Sequence, residues 1–370
     1  MTTTPSSILH IVAGLGYGGN EAIALKIIMA AQAQTQNSLI VLDPSKREQE
    51  PAFSVLTEQI IYCKPGLGYL NIFNTARQAI QQTQPTAIIS YTFNIKILPI
   101  VLAAKLSGIH NIKVQMGNTA PLEPMPRRKW RFLLWCFSLL QVPVYPCSQA
   151  VMTSIETLAP LHKDSQVMIN GCDVSAIAAT AAKARTQRPA NDKKRIVMVA
   201  RLDGIKDQAT LIRAYAQLQP RHPDWQLWLV GEGNERQRLQ QLALELNLDP
   251  QTVFLGQRGD IPEILGQCDI FAFSTTEAEG FGIVLIEAMA AGLPTVASDI
   301  GACREVLLGG KAGVLVEPKN VKAWVDALDS LMADAQEWQA ASQAILATAP
   351  QYDVCNTAQK WLELLCPSVI

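Results

Sequence analysis

Residues 274–292 read STTEAEGFGIVLIEAMAAG. The stretch follows a short apolar run at 270–273 and passes into helical spacing, giving the local pattern strand, glycine-containing turn, helix. Gly280 and Gly282 let backbone N–H groups approach a ligand without a Cβ in the way. A helix opening near Ile283 presents unpaired N–H groups and the positive end of its dipole, a seat for phosphate. Glu279 stands before that seat, and Glu287 lies one turn inside the helix. A carboxylate beside phosphate is electrostatically unwelcome, so both acids are expected to accept hydrogen bonds from hydroxyls, such as a ribose diol or a sugar ring. Taken alone, the stretch also reads as a capped helix with an acidic start. The Gly-Phe-Gly insert and the flanking patterns favour a ligand site.

Working outward, short apolar and β-branched runs alternate with amphipathic stretches, the mark of βαβ units around parallel sheets. Strands are expected at 8–13, 38–42, 87–90, 112–115 and 142–146, with helices at 21–33, 72–82, 98–106 and 127–140. A second series has strands at 195–199, 226–230, 252–254, 270–273, 294–297 and 312–316. Its helices are expected at 208–219, 235–246, 261–267, 283–291 and 321–332. Between the two series, residues 176–194 are rich in Ala, Thr, Lys and Arg and end on Pro189 and Asn191-Asp192, the composition of a short helix plus a linker. The expected organisation is a first Rossmann-like domain over 1–175, the linker over 176–194, a second domain over 195–350 and a final helix within 351–370. These patterns predict two doubly wound α/β domains facing a central cleft.

The chain has 370 residues, 49 % of them hydrophobic, too many for one ordinary core and suited to two. Its 31 basic and 32 acidic side chains leave a net charge of −1, so no global basic field favours nucleic acid. No apolar run approaches the roughly 20 residues that span a bilayer. Residues 1–7 lack the basic start and apolar core of a signal peptide, so a cytoplasmic protein is expected. The eight cysteines are scattered without a Cys-x-x-Cys pair, a pattern of reduced, mostly buried thiols. The four histidines have no metal-binding spacing and there is no Asp-x-Asp, so no bound metal or other cofactor is expected.

A second candidate site lies at Val197-Met198-Val199-Ala200-Arg201-Leu202-Asp203-Gly204-Ile205-Lys206-Asp207. Arg201 ends a strand at its carboxyl edge, where open α/β sheets bind ligands, and Lys206 follows in the loop before the next helix. Two cations there would neutralise a diphosphate leaving group, as a fixed substitute for a metal. The plainer reading is an exposed Arg and Lys on a loop.

Arg201 and Lys206, then Leu227-Trp228-Leu229-Val230-Gly231-Glu232-Gly233, then Val253-Phe254-Leu255-Gly256-Gln257-Arg258, then the Glu279…Glu287 pair follow an order and spacing that resembles glycosyltransferase family 4, retaining enzymes of the GT-B fold. In the first half, Gly18-Gly19-Asn20-Glu21 is similar to that family's Gly-Gly-x-Glu helix start. Cys147-Ser148-Gln149-Ala150 and Val167-Met168-Ile169-Asn170-Gly171-Cys172-Asp173 are similar to its two markers ahead of the linker. The resemblance implies a hexose transferred, with anomeric retention, from a UDP- or GDP-sugar to a hydroxyl of a saccharide or lipid-linked acceptor, as in surface polysaccharide or glycolipid synthesis. It implies that Arg201 and Lys206 hold the diphosphate and that Glu287 binds the ribose. Glu279 would position the sugar together with the backbone N–H groups of Phe281, Gly282, Ile283 and Val284. Arg258 and its neighbours would line the base pocket, and Gly18 and Gly19 would let the first domain approach the sugar–phosphate region. It implies catalysis without a bound metal, the leaving phosphate taking the acceptor proton, and a last helix that crosses back to the first domain. Many relatives place a histidine after the fourth strand of the first domain. Here that region reads Gln115-Met116-Gly117-Asn118-Thr119, which leaves Asn118, with Tyr17, to contact the sugar or the acceptor.

Two rival functions are weighed against this one. Gly14-Leu15-Gly16-Tyr17-Gly18-Gly19 spells a dinucleotide-binding fingerprint, with Asp43 near the position of a ribose-binding acid, as in an NAD-dependent dehydrogenase. A non-catalytic nucleotide-sugar-binding protein would keep the same cleft, although the intact set Arg201, Lys206, Glu279 and Glu287 speaks for catalysis. Separately, residues 126–137 begin with four cations (Arg127, Arg128, Lys129 and Arg131) and continue as an aromatic, apolar helix. Such a segment is either a packed helix with a solvated first turn or a peripheral contact with an anionic membrane through 127–137.

Overall fold

The computed structural model describes residues 6–16, 18–64 and 68–366. They divide into two compact units, Met1–Gly171 with Val354–Ile370, and Cys172–Asp353. The first unit holds β1 (Ser6–Val12), β2 (Thr35–Val41), β3 (Gln59–Tyr62), β4 (Ala87–Ser90), β5 (Ile112–Met116) and β6 (Val144–Pro146) in one sheet. The second holds β7 (Lys194–Val199), β8 (Trp225–Val230), β9 (Phe254–Gly256), β10 (Ile270–Phe273), β11 (Thr295–Ser298) and β12 (Val314–Val316). The orders are β3-β2-β1-β4-β5-β6 and β12-β11-β10-β7-β8-β9, the same doubly wound topology read from opposite ends. Every pairing is parallel, and helices connect the strands. In each sheet the strand order reverses between the first and fourth strands, β1/β4 and β7/β10. Open α/β sheets bind ligands at such a reversal, beyond the carboxyl ends of the strands.

The central strands read as continuous apolar runs because both faces are covered. β10 is buried along its length, and β1 everywhere but its first residue. His10 is the polar exception. Its imidazole is wholly buried between the Tyr91 hydroxyl, 3.0 Å from Nδ1, and Asn37 Oδ1, 2.9 Å from Nε2. Burial holds it down at about 4 against the opposing bond to Asn37, so it is neutral near pH 7 and ties β1 to β2 and to the residue after β4.

Several elements differ from the expectation. β3 is an edge strand with no buried residue, so it lacks the alternation that marks a half-buried strand. The helices Glu50–Leu56 and Ala335–Thr348 bury one residue each, which leaves little periodicity to read. Residues 176–194 are no free linker: Val174–Thr186 is a helix of the second unit, capped by Asp173 Oδ1 accepting from Ala176 N at 3.0 Å. Its small residues allow close approach to the helix Ile261–Gly266, where a Cβ on Gly266 would run into the Ala181 carbonyl. Arg185 and Arg188 then bind the Ala291 carbonyl and Asp269, both at 2.8 Å. The Ser148 marker is likewise a helix cap, its hydroxyl accepting from Val151 N at 3.1 Å. Six of the eight cysteines are buried.

The chain passes between the units at Gly171/Cys172 and again at Asp353/Val354. The helix Val354–Leu365 then belongs to the first unit and packs on Gly19–Ala31, burying Val354, Ala358, Trp361, Leu362 and Leu365 along one face. Trp361 is fully buried, its ring 5.1 Å from that of Tyr145, while Asn111 Nδ2 donates to the Leu365 carbonyl at 2.9 Å. Trp361→Ala should therefore lower unfolding stability by about 3–5 kcal/mol in urea titration. The exposed neighbour change Lys360→Ala should lie within about 0.5 kcal/mol of the parent.

Candidate active site

Because β7 and β10 are neighbours, with Phe271 opposite Val197, the loops that leave their carboxyl ends run side by side. Hydroxyls and amides knit them together. Ser274 Oγ donates to the Asp207 carbonyl at 2.8 Å, Asp207 N to the Ser274 carbonyl at 3.1 Å, and Thr276 N and Oγ1 to the Ile205 carbonyl at 3.0 and 2.9 Å. Thr275 N donates to Ser298 Oγ on β11 at 2.9 Å. This frame brings Lys206 and Glu279, 73 residues apart, into a direct ion pair between Lys206 Nζ and Glu279 Oε2, with side chains only 12 % and 11 % exposed. The ammonium also lies 4.5 Å from the Phe273 ring centroid.

Burial pushes the Glu279 carboxyl up, but Lys206 and the Phe281 and Gly280 N–H groups outweigh it and hold the group below the ordinary carboxylate range. Phe281 N donates to Glu279 Oε1 at 3.3 Å. Gly282 then sits at φ 77° and starts the helix Ile283–Ala290. A side chain there would be strained by φ and would bring a Cβ 3.0 Å from Phe273 Cε1. Within that helix only Ile283 and Glu287 keep partial exposure, four residues apart on one face. Glu287 has no side-chain hydrogen bond among the described residues, and its surroundings push its carboxyl up to about 7 through desolvation.

The other expected site residues fall into place unevenly. Arg201 leaves the end of β7 with its side chain 71 % exposed and Nη2 3.1 Å from Asp203 Oδ2. Its loop rests on the loop after β8, where Leu202 N donates to the Glu232 carbonyl at 3.0 Å and Glu235 N to the Leu202 carbonyl at 2.9 Å. Gly231 and Gly233 are required there, since a Cβ on either would strike the Ala200 or Leu202 carbonyl. Arg258, beyond β9, is turned to Asp260 through two bonds of 2.8 and 2.5 Å, and no described contact brings it to Lys206 or Glu279. In the first unit Gly18 precedes the helix Gly19–Ala31, and the loop after β5 adjoins that start: a Cβ on Gly117 would lie 2.7 Å from Asn20 Oδ1. Asn118 is exposed on this loop. Tyr17 lies outside the described residues.

The dinucleotide fingerprint is filled by the chain itself. Leu15 N donates to the Lys46 carbonyl at 3.0 Å, Gln49 N to the Leu15 carbonyl at 2.8 Å, and Lys46 packs over Gly14 and Gly16. Asp43 closes its own turn, accepting from Ser45 N and Oγ at 3.0 and 2.6 Å. A pyrophosphate lying on these glycines would have to displace segment 43–49, so the dehydrogenase reading is not favoured. Sequence reasoning missed Phe273, Thr276 and Ser298. The hydroxyl run Ser274-Thr275-Thr276 after a strand was the available signal for a tied loop.

Glu287 has a stability consequence. A carboxyl raised in the folded chain keeps more protons than in the unfolded chain, so its favourable contribution is full at low pH and is lost as pH rises towards about 7. The melting temperature of Glu287→Gln should exceed the parent's at pH 8, and the gap should close by pH 5. A gap independent of pH would refute the raised carboxyl.

Known proteins resemble this chain in sequence and in fold. Residues 180–346 match the family model described as glycosyl transferases group 1. The D-inositol 3-phosphate glycosyltransferase of Corynebacterium urealyticum is 34 % identical over 180 residues, 46 % of this chain and 42 % of that protein. The GDP-mannose-dependent alpha-(1-6)-phosphatidylinositol monomannoside mannosyltransferase of Mycolicibacterium smegmatis is 35 % identical over 163 residues, 41 % of this chain and 42 % of that protein. These matches thus span less than half the length of either relative. The crystal structure of Anabaena Alr3699/HepE in complex with UDP-glucose superposes with a TM-score of 0.85 at 22 % identity, over 98 % of this chain and 99 % of that one. The chain has the GT-B fold, and its residues 180–346 are similar to the glycosyl transferases group 1 family.

Proposed function

We propose that this protein transfers a hexose from a UDP- or GDP-sugar to a hydroxyl of a saccharide or lipid-linked acceptor, with retention of anomeric configuration. The observation that carries the reading is the Lys206–Glu279 pair at the start of a helix whose open face presents an unbonded Glu287. An ammonium has three N–H donors, so after Glu279 takes one, two remain for the donor diphosphate. Arg201 and the helix N–H groups of Ile283 and Val284 add to the same charge. Glu287 accepts from the ribose hydroxyls, and Glu279 from a hydroxyl of the donor sugar. As the bond from C1 to the phosphate oxygen breaks, its electron pair goes to the phosphate, whose charge Lys206 and Arg201 neutralise. The acceptor oxygen bonds to C1 on the same face and its proton passes to that phosphate oxygen. Fixed cations do the work a divalent metal would do, so the reaction proceeds without one. The relatives support this donor class: one is named for GDP-mannose, and one solved neighbour holds UDP-glucose. On the first unit, Asn118 contacts the sugar or the acceptor, and the Gly18–Gly19 helix start serves the donor's sugar–phosphate region.

A thermal-shift screen of UDP- and GDP-sugars with EDTA present should find one that raises the melting temperature, by an amount equivalent to about 2.7 kcal/mol at one hundred times its Kd. With that donor, Lys206→Ala should lower kcat about 10²- to 10³-fold. Glu279→Ala should also slow the acceptor-independent release of nucleoside diphosphate. Parental turnover by Glu279→Ala would refute its role, and tight donor binding without any turnover would support a sensor instead.

A lipid-linked acceptor also fits the surface of the first unit. No helix among the described residues is long and apolar enough to cross a membrane. The helix Pro124–Leu139 buries Leu133, Leu134 and Phe137 but exposes Met125, Phe132, Trp135 and Leu139, with Arg128, Lys129 and Arg131 exposed among them. An exposed apolar face with cations along it suits an anionic, cytoplasmic lipid surface, each cation contributing about 1 kcal/mol. Sedimentation with vesicles containing anionic lipid should retain the parent, and both Arg128→Glu/Arg131→Glu and Trp135→Ser should reduce retention. Equal retention by neutral vesicles would overturn the electrostatic part.

A further inference from the structure

Tyr352 occupies an unusual place in the second unit. It ends the short turn Ala349–Tyr352, one residue before the chain leaves that unit, and is 6 % exposed. Its carbonyl accepts from Cys172 N at 3.1 Å, where the chain enters the unit, and Cys172 is bridged to Asp353 beside it. Both chain crossings therefore meet at one residue. The hydroxyl donates to the last turn of the helix Gly301–Val306, 3.0 Å from the Val306 carbonyl and 3.4 Å from that of Glu305. Burial pushes this hydroxyl up to about 12, so it remains a donor across the working pH range.

The ring faces the other way. It meets Phe281 edge to face, centroids 6.4 Å apart at 69°, and Phe281 is itself 3 % exposed. Phe281 N–H is the group that donates to Glu279 Oε1, and Glu279 Oε2 holds Lys206. An unbroken line of contacts thus runs from the two crossings through the Tyr352 ring to Phe281, then to the Glu279 carboxylate. Gly280 and Gly282 flank Phe281, so the backbone on either side is intrinsically permissive. A buried aromatic contact favours one conformation of such a segment.

We propose that Tyr352 is a positioning residue for the donor-sugar loop: its ring fixes Phe281, whose N–H orients Glu279 towards Lys206. The ring does the positioning and is held by its own burial, independently of the hydroxyl's bonds to the helix end. The proposal rests on the reading of Glu279 as the group that holds the donor sugar. Of the groups assigned to the nucleotide, Arg201, Glu287 and the helix start lie outside this line; Lys206 lies at its end and is held independently by the Phe273 ring and by the bridge of its loop to Thr275.

The two layers separate experimentally. Amide hydrogen exchange on the protein alone should show Tyr352→Leu speeding exchange at residues 280–282 about ten-fold, with exchange across β10 (270–273) unchanged. Phe281→Leu approaches the pair from the other side and should do the same. The double variant should be no worse than either single change. With the nucleotide sugar found by thermal shift, Tyr352→Leu should lower kcat/KM about ten-fold while the Kd of the free nucleoside diphosphate stays within about two-fold. Tyr352→Phe, which keeps the ring, should restore both readouts to within about two-fold of the parent. Parental loop exchange in Tyr352→Leu, or additive effects in the double variant, would overturn the proposal. So would a loss of nucleotide affinity as large as the loss of turnover, which marks general destabilisation. Faster loop exchange in a protein that no nucleotide sugar stabilises would leave Tyr352's positioning intact and sink the proposed transferase activity instead.

Discussion

The ion pair between Lys206 and Glu279 is the interaction on which the second unit's site depends. Withdrawing two charges from water costs several kcal/mol each, and such a pair survives only with good geometry and further partners. Here the partners are present: the Phe273 ring beside the ammonium, and the Phe281 and Gly280 amides on the carboxylate. Removing either charge would leave the other buried and uncompensated. The pair also holds together two loops that no local sequence preference would join, because it forms only when β7 and β10 lie next to each other.

That adjacency follows from the doubly wound order. Reversal of the strand sequence at β7/β10 sets side by side the carboxyl ends of the two strands whose loops carry Lys206 and Glu279. The glycines serve this geometry in distinct ways. Gly282 supplies a left-handed residue at the helix start, while Gly231 and Gly233 let the next loop press backbone to backbone against the one that carries Arg201. The two acids are set apart by their surroundings. Glu279 stays ionised beside a cation, whereas Glu287, without one, titrates near neutrality. The proposed reaction asks neither to act as a general acid or base, since in it the leaving phosphate collects the proton.

The first unit repeats the topology with a different interior solution. A fully bonded histidine ties its central strands, and the glycine loop after β1 is packed by segment 43–49 rather than left open. One sequence motif therefore carried two opposite meanings, and only the packing around Gly14 and Gly16 separated them.

The α/β class, the two doubly wound sheets and the strand–Gly-Phe-Gly–helix site were legible in the chain because they rest on local physics: apolar runs, glycine at a tight turn, an N–H-rich helix start. Glu279, Glu287, Arg201 and Lys206 stood out by spacing for the same reason, and the fold pairs two of them, Lys206 and Glu279. The edge strand β3 and the helices at 50–56 and 335–348 bury too little to leave a period, and the Ala-rich segment 176–194 has the composition of a linker although its small side chains serve close packing. Which groups touch is another matter. The contact of Lys206 with Glu279 across 73 residues, the turning of Arg258 to Asp260, and the meeting of Tyr352 with Phe281 depend on strand order and on the return of the chain. The residue types and their local conformations were set by neighbours in sequence; their partners were decided by tertiary structure, since a side chain's charge and shape do not specify which distant segment the fold will bring to it.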